Sequence, residues 1–264
     1  MITPTPLTSL RISILGSGTS AGVPMIGCHC PVCSSPDPRD HRTRPSIALH
    51  YAGHSILIDT TPELRLQSIA TGLDRIDAVV FTHAHADHIF GLDDLRRFNT
   101  ILHGPLPLYA NLETLGHLER CFPYAFAPVE RVADALYRPE LTPVVITGPF
   151  DLFGRLWTPI PMIHGKAHVL GFRIGSFAYC TDCSSIPETS RALLQNLDVL
   201  ILDGLRPRPH PTHLSFAQAL EMIEALAPKQ AYFTHIAHDM KHADIEATLP
   251  PNVRVSYDGQ VIDL

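Results

Sequence analysis

The stretch that most constrains this chain is Thr82–His88, because it places three histidines and one aspartate within a single short segment. It follows an apolar run, Ala78–Phe81, whose pattern predicts a buried strand. Neutral imidazole and carboxylate groups are ligands for zinc, manganese and iron. A loop that leaves a strand can direct the first two histidines to one side and the Asp–His pair to the other. This spacing predicts two metal ions side by side and makes a chance histidine-rich surface turn the weaker interpretation.

The composition is that of a globular protein. Of 264 residues, 45% are hydrophobic and 17% are charged, and the 24 prolines and 16 glycines indicate many turns rather than a helical bundle. No linker-like segment divides the sequence, so we expect a single domain spanning residues 1–264. The net charge of −6 provides no general basic surface for a long nucleic acid, and we expect no stable nucleic-acid complex.

The sequence also bears on location. No apolar run approaches the roughly 18 residues that a membrane helix needs, so we expect no membrane partner. Residues 1–10 lack the basic start and long apolar segment of a signal peptide. Clustered cysteines without a secretion signal indicate metal binding in a reducing compartment rather than a disulfide framework. We therefore expect a cytoplasmic protein.

Three of the six cysteines, Cys28, Cys30 and Cys33, lie close together near the start of the chain. Thiolates are good zinc ligands, and a tetrahedral site then needs a fourth ligand. His29 is too close in sequence to complete the site easily, so we expect the fourth ligand to come from a distant segment. Free thiols in a loop are the alternative interpretation.

Two halves of the chain repeat one pattern. In the first half a strand ends at Asp59, a helix follows, and a second strand runs into Phe81–His83. In the second half a strand ends near Asp182, and a later strand runs into Phe233–His235. Two such halves facing each other would place their strand ends on a common edge, where ligand sites in α/β sheets lie.

His164, Asp182 and His235 each follow or flank a predicted strand of the second half. A lone histidine is usually a hydrogen-bonded polar group rather than a ligand, so the count decides the interpretation. Two metal ions need about six or seven ligands, and the first loop offers four. These three residues complete the set, and Asp182 can bridge both ions. Cys180 and Cys183, which flank Asp182, are interpreted as buried thiols rather than a redox pair.

The motif H-x-H-x-D-H resembles the signature of the metallo-β-lactamase superfamily of metal-dependent hydrolases. Three further segments look like the PhnP-type phosphoribosyl cyclic phosphodiesterases, which are relatives of ribonuclease Z. They are the early G-C-x-C-x-x-C, the His-Leu-Ser before a helix, and the final Thr-His-x-x-His. The resemblance covers nearly the whole chain and implies an α/β fold, the four-layer αββα sandwich of the metallo-β-lactamase type. A homodimer is expected from this resemblance alone.

The resemblance also implies site residues and cofactors, namely two catalytic divalent metal ions and one structural zinc ion. The implied ligands are His83, His85 and His164 for one catalytic ion; Asp87, His88 and His235 for the other; Asp182 bridging both; and Cys28, Cys30, Cys33 and His238 for the zinc. His213, just before a helix with a capping-box sequence, would be the residue that transfers a proton.

The chemistry follows from the metal pair. Two metal ions about 3.5–4 Å apart clamp the attacking oxygen and the phosphoryl oxygen, and a bridging water becomes a hydroxide nucleophile near neutral pH. Asp87 can orient that hydroxide, and His213 can protonate the departing alkoxide as a general acid. We therefore expect a phosphodiesterase that acts on a small cyclic or nucleotide-like phosphodiester with zinc or manganese.

Three alternatives remain at this point. An acyl hydrolase, such as a lactonase or thioesterase, would have less need of a general acid than a phosphodiesterase, whose alkoxide leaving group is poor. A ribonuclease Z-like tRNA processing endonuclease is disfavoured by the net charge and by the absence of a Gly- and Lys-rich arm. A metal-binding protein without activity would be expected to have lost ligands, and all seven are present.

A ring-rich segment, Asn99–Pro161, is too long for a simple connection. Its aromatic side chains either line a substrate pocket, where they would stack on a base or sugar, or form ordinary core. They are Phe122, Tyr124, Phe126, Tyr137, Phe150, Phe153 and Trp157.

Overall fold

The structure, a computed structural model, describes residues 9–127 and 138–264. Its strands are β1 (Arg11–Gly16), β2 (Ser46–Tyr51), β3 (His54–Ile58), β4 (Ala78–Val80), β5 (Leu106–Ala110), β6 (Leu141–Val145), β7 (Phe150–Leu152), β8 (Arg155–His164), β9 (Ala167–Ile174), β10 (Phe177–Cys180), β11 (Val199–Asp203), β12 (Gln230–Thr234), β13 (Val253–Val255) and β14 (Val261–Asp263). Its α-helices are α1 (Leu64–Thr71), α2 (Ala86–Ile89), α3 (Leu95–Leu102), α4 (Leu112–Cys121), α5 (Pro123–Phe126), α6 (Glu188–Arg191), α7 (Phe216–Leu226) and α8 (His242–Glu246).

The described strands form two sheets of seven strands each, and the two sheets share one pairing pattern. Their orders are β14-β1-β2-β3-β4-β5-β6 and β7-β8-β9-β10-β11-β12-β13. In the order given, each sheet has three antiparallel pairings followed by three parallel pairings. The repetition predicted from the two halves of the sequence is therefore confirmed at the level of strand topology.

The facing surfaces of the two sheets form one apolar core. Buried residues from both sheets belong to it, including Ile12 of β1 and Phe172 of β9. Trp157 lies fully buried in this core and donates its indole N–H to the Tyr51 hydroxyl at 2.9 Å. Tyr51 in turn donates to the backbone carbonyl of Leu152 at 2.7 Å. Both polar groups are thus satisfied, so the large rings bury apolar surface between the sheets without an unpaired donor.

Helices cover the outer faces of both sheets. Helices α1, α3 and α4 bury one stripe each against the first sheet, as Leu64, Leu95 and Leu118 show. Helix α7 packs on the second sheet through an apolar stripe that includes Ile223. The predicted αββα sandwich is confirmed. No helix in the described part of the chain is long and apolar enough to span a membrane.

Helix α7 begins with the predicted capping box. The Ser215 hydroxyl accepts from the Gln218 backbone N–H, and the Gln218 side chain accepts from the Ser215 backbone N–H. This cap fixes the point at which the chain leaves the preceding loop, 204–214. His213 lies two residues before the cap, so the helix start sets its position.

The aromatic residues of Asn99–Pro161 have different environments. Trp157 belongs to the core between the sheets, as the alternative interpretation required. Phe122 packs edge-on against the exposed ring of Phe90, with ring centroids 6.1 Å apart. Tyr137 lies outside the described residues. The segment therefore contributes rings to the core and to the surface beyond α2.

Candidate metal centres

All seven side chains predicted to bind the catalytic metals lie at or just beyond the carboxyl ends of strands. The first sheet contributes four of them, from the segment that follows β4: His83, His85, Asp87 and His88. The second sheet contributes three, from the ends of β8, β10 and β12: His164, Asp182 and His235. The structure therefore brings together at one edge residues that are up to about 150 positions apart in sequence.

The seven side chains form two overlapping groups that share Asp182. Within each group, one ligand atom from every residue lies within 4.8 Å of the others. The groups are His83, His85, His164 and Asp182, and Asp87, His88, Asp182 and His235. The Asp182 carboxylate oxygens lie 3.9 Å from Nε2 of His83 and His164, and 3.3 Å from Nε2 of His88 and His235. Asp182 is thus the residue common to both groups, and its role as a bridging ligand stays a prediction.

The donor atoms fit divalent metal ions. The Nε2 atoms of His83, His88 and His235 are buried and make no hydrogen bond within the described residues. A buried ring nitrogen without a hydrogen-bond partner costs free energy of folding, so each of these atoms requires a partner from outside the protein. Imidazole nitrogen and carboxylate oxygen are the donors that zinc and manganese accept. Two adjacent cations would satisfy all three orphaned nitrogens together.

Asp59 is a buried carboxylate that orients His88 from behind. Its Oδ2 accepts from His88 Nδ1 and from the Thr82 hydroxyl, both at 2.7 Å, and its Oδ1 accepts from the Thr82 backbone N–H at 2.8 Å. Because His88 directs its Nδ1–H at Asp59, its Nε2 is the ring nitrogen that faces Asp182 and that would bind a metal ion once its proton is displaced. In the same way, His164 Nδ1 donates to the Thr212 carbonyl at 2.7 Å.

Three of the strand-end residues adopt left-handed backbone conformations. Asp59, Asp182 and His235 have φ angles of 65°, 54° and 62°. Non-glycine residues rarely adopt this region, and such residues concentrate at functional sites. All three side chains lie with the ligand cluster, since Asp59 binds His88 and since Asp182 and His235 belong to one ligand group.

Charge and burial set the protonation states of the cluster. Burial lowers the pKa of His83 and His164, so both are neutral near pH 7, which is the form that binds a metal ion. Burial alone would raise the pKa of Asp182, but the neighbouring His235 and His88 outweigh it and hold that pKa well below its usual range. Asp182 therefore stays ionised and can attract cations.

His213 lies against the same cluster, and Asp203 holds it there. The two side chains are buried, and His213 Nδ1 lies 2.9 Å from Asp203 Oδ2. The His213 ring stacks on His235 with centroids 4.4 Å apart and meets His164 edge-on at 4.6 Å. Donation of Nδ1–H to Asp203 leaves Nε2 of His213 as the atom available for proton transfer. Sequence reasoning assigned no role to Asp203, although its place at the end of a buried strand was a signal.

The second predicted centre lies at the cysteine cluster. The sulfur atoms of Cys28, Cys30 and Cys33 each lie 3.4 Å from Nδ1 of His238. A tetrahedral zinc ion with bonds of about 2.3 Å to sulfur and about 2.0 Å to nitrogen has sulfur–nitrogen separations of roughly 3.5 Å. The Cys33 backbone N–H lowers the pKa of Cys30 to about 6, which favours the thiolate. The donor set and its spacing fit a structural zinc ion.

Cys180 and Cys183 are both fully buried, and each is a free cysteine. Burial raises the pKa of Cys180 to about 12, so it remains a thiol. Their interpretation as buried thiols is in accord with this environment.

A two-sheet sandwich with His and Asp side chains converging at one edge defines the class of metal-dependent hydrolases. Residues 54–236 match the family model described as the β-lactamase superfamily domain, and the chain belongs to that family. Divalent metal binding follows from this membership together with the clustered His and Asp ligands.

Two solved structures are similar over almost the whole chain. One is a diphosphatase from the PhnP family, with 44% identity and a TM-score of 0.91 over 98% of each chain. The other is zinc-bound PqqB from Methylobacterium extorquens, with 22% identity and a TM-score of 0.76, covering 96% of this chain and all of that one. The second likeness supports the fold alone.

Among curated proteins, an octanoyltransferase of Porphyromonas gingivalis is 35% identical over 260 residues. The match covers 95% of this chain but 51% of that protein. The chain therefore spans about half the length of this relative, and the activity named for the whole of that protein is not transferred to it.

Proposed function

We propose that this chain is a dinuclear metal-dependent phosphodiesterase that hydrolyses a small cyclic or nucleotide-like phosphodiester. One divalent ion would lie on the group containing His83, His85 and His164, and the other on the group containing Asp87, His88 and His235. Asp182 would bridge the two. When bound, the two ions would polarise the phosphoryl group and activate a water molecule, with zinc or manganese as the candidates.

The protein's own groups would orient the reactants. Asp87 has a buried carboxylate whose Oδ2 lies 3.5 Å from His88 Nε2 and 3.6 Å from His235 Nε2. It is placed to accept a hydrogen bond from the attacking water and so to fix its direction of approach. Asp87, His88 and His235 are all buried, whereas His85 is exposed, so solvent reaches the cluster from the His85 side.

His213 would supply the proton that the leaving oxygen needs. Its Nε2 would carry that proton, while Asp203 holds Nδ1–H and stabilises the positive charge of the ring before transfer. The Asp203–His213 pair beside the ligand cluster is the observation that carries the proposal. An alkoxide leaves phosphorus poorly without an acid, whereas an acyl hydrolase has less need of such a pair.

A second candidate reaction is cleavage of a diphosphate bond. It is supported by the 44% identity to a protein described as a PhnP-family diphosphatase. The two reactions share attack at phosphorus and differ in the leaving group, which is an alkoxide in one and a phosphate in the other. A phosphate leaves more easily, so it depends less on His213.

A substrate panel tests the proposal. The metal-loaded protein would be assayed with bis-p-nitrophenyl phosphate, a 1,2-cyclic ribose phosphate, a nucleoside diphosphate, a lactone and a thioester. We expect turnover of the phosphodiesters. Turnover of the lactone or thioester alone would refute a phosphodiesterase and favour the acyl hydrolase.

A further inference from the structure

The loop between β11 and α7 carries a second histidine beside His213. His210 stands between Pro209 and Pro211, and Pro207 precedes them. Proline fixes its own φ angle and restricts the residue before it, so this loop has few alternative conformations. His210 is half-buried in the structure.

The hydrogen bonds of His210 define which nitrogen carries its proton. Its Nδ1 lies 3.4 Å from the Thr212 backbone nitrogen and 3.1 Å from the Thr212 hydroxyl. A backbone N–H can only donate, so Nδ1 is the acceptor and the proton resides on Nε2. Within the described residues, no hydrogen bond involves this Nε2–H. It is therefore a donor available to a ligand.

The position of His210 is tied to the metal cluster. Its ring centroid lies 5.3 Å from that of His213. Thr212, which holds His210, also accepts the Nδ1–H of His164 at 2.7 Å. Gly165 packs against Thr212 so closely that a Cβ at that glycine would lie 2.7 Å from the Thr212 methyl group. The Nε2–H donor of His210 therefore has a fixed position relative to His164, a candidate metal ligand, and to His213, the proposed proton donor.

The surroundings of His210 favour an anionic ligand. The Arg206 guanidinium lies within the same loop, with Nε 3.4 Å from the Arg208 carbonyl and Nη2 3.3 Å from the Pro209 carbonyl. Burial, His213 and Arg206 together lower the pKa of His210, so the ring remains a neutral donor near pH 7. A neutral N–H donor in a loop that also holds a positive charge is suited to a phosphoryl oxygen.

We propose that His210 is a substrate-binding residue that donates its Nε2–H to a phosphoryl oxygen next to His213. The inference rests on the proposed function, since it takes a phosphoryl group as the ligand. It also provides a basis for substrate selectivity. A planar acyl group has a single carbonyl oxygen, whereas a tetrahedral phosphoryl group has an additional oxygen that could accept the hydrogen bond from His210. His210 would thereby favour phosphoryl over acyl substrates.

Binding of inorganic phosphate to the metal-loaded protein tests this inference. Isothermal titration calorimetry would compare the wild type with His210→Ala and His210→Gln, the latter retaining an N–H donor. His117→Ala, at an exposed position on α4, is the matched control. We expect His210→Ala to raise the Kd for phosphate roughly tenfold, the effect of one hydrogen bond to a charged group. We expect His210→Gln to recover part of the loss and His117→Ala to match the wild type.

Any of three binding results would overturn the inference: no phosphate binding by the wild type, a Kd for His210→Ala within twofold of the wild-type value, or equal losses in His210→Ala and His210→Gln. Metal content is measured in parallel, and a loss of metal in His210→Ala would show that His210 acts only by supporting Thr212 and His164. Failure of the proposed function is distinguishable, because it appears as absent phosphodiester turnover in the wild type, and phosphate binding requires no turnover.

Discussion

Asp59 accepts a hydrogen bond from His88 at 2.7 Å, and both side chains are completely buried. The bond fixes the tautomer of His88 and increases the basicity of its Nε2. Asp59→Asn keeps the shape of the side chain but removes its charge, so we expect metal affinity to fall about 10–100-fold while the fold is retained. Competition with a chromophoric chelator would measure the affinity. Asp74→Asn, at an exposed position, serves as control, and unchanged affinity in the Asp59 variant would argue against an orienting role.

Replacement of His213 separates proton transfer from metal binding. We expect His213→Ala to lower kcat by roughly 10²–10⁴-fold on a substrate with an alkoxide leaving group, because the departing oxygen then lacks an acid. The loss should be much smaller with p-nitrophenolate, which departs without a proton. Steady-state kinetics on both substrates, with elemental analysis of each variant, check the prediction. Equal losses on the two substrates would point to positioning or metal binding instead.

The cysteine cluster predicts a third metal ion. We expect elemental analysis of protein purified without chelator to give close to three ions per chain, one of them zinc. Cys28→Ser should remove that zinc and lower solubility and thermal stability, since structural zinc is worth on the order of 10 kcal/mol of folding free energy in small zinc-binding peptides. Cys121→Ser, at an exposed free cysteine, is the matched control. Full zinc content and stability in Cys28→Ser would exclude a structural site.

The lowered pKa of His242 predicts that the protein loses stability at acid pH. Burial, then the charges of Arg42 and Arg39, lower the pKa of His242 to about 4, and its Nδ1 lies 3.0 Å from Arg42 Nη2. The unfolded chain, with a histidine pKa near ~6.5, binds more protons than the folded protein between those values. The contribution is therefore fully present above about pH 6.5 and is lost as the pH falls toward 4. Because His242 is only partly shielded from solvent, we expect the free energy of unfolding to fall by roughly 1–2 kcal/mol over this pH range.

Urea unfolding at pH 7 and pH 4.5 measures this effect. The fall in the free energy of unfolding between the two pH values should be smaller in His242→Gln than in the wild type. His117→Gln, at an exposed histidine, should behave as the wild type does. A pH dependence of His242→Gln identical to that of the wild type would show that other groups are responsible.

Much of the site could be predicted because its first half is local. His83, His85, Asp87 and His88 lie within one loop, so their spacing alone indicated metal binding. His164, Asp182 and His235 required the additional argument that strands of two similar halves end on one edge. That argument depends on strand ends, which hydrophobic runs mark clearly in sequence.

The groups that orient the ligands were harder to predict from the sequence. Asp59 and Asp203 each stand at the end of an apolar run in the sequence, but no role could be assigned to them, because a carboxylate there is equally suited to capping or solvation. The carbonyl of Thr212 belongs to the backbone and leaves no sequence signal. The αββα layers were implied by family resemblance, whereas the matched pairing of the two sheets needed the structure itself.

The shared edge has one further consequence. Each group of candidate ligands draws on segments from both sheets: His83 and His88 follow β4 of the first sheet, whereas His164 ends β8 and His235 follows β12 of the second. Any ion held there is sensitive to the distance between the sheets, so cation affinity and sheet-to-sheet packing are thermodynamically linked. A substitution that opens a cavity at Trp157, a core residue well away from this edge, would therefore weaken metal binding although no ligand is changed.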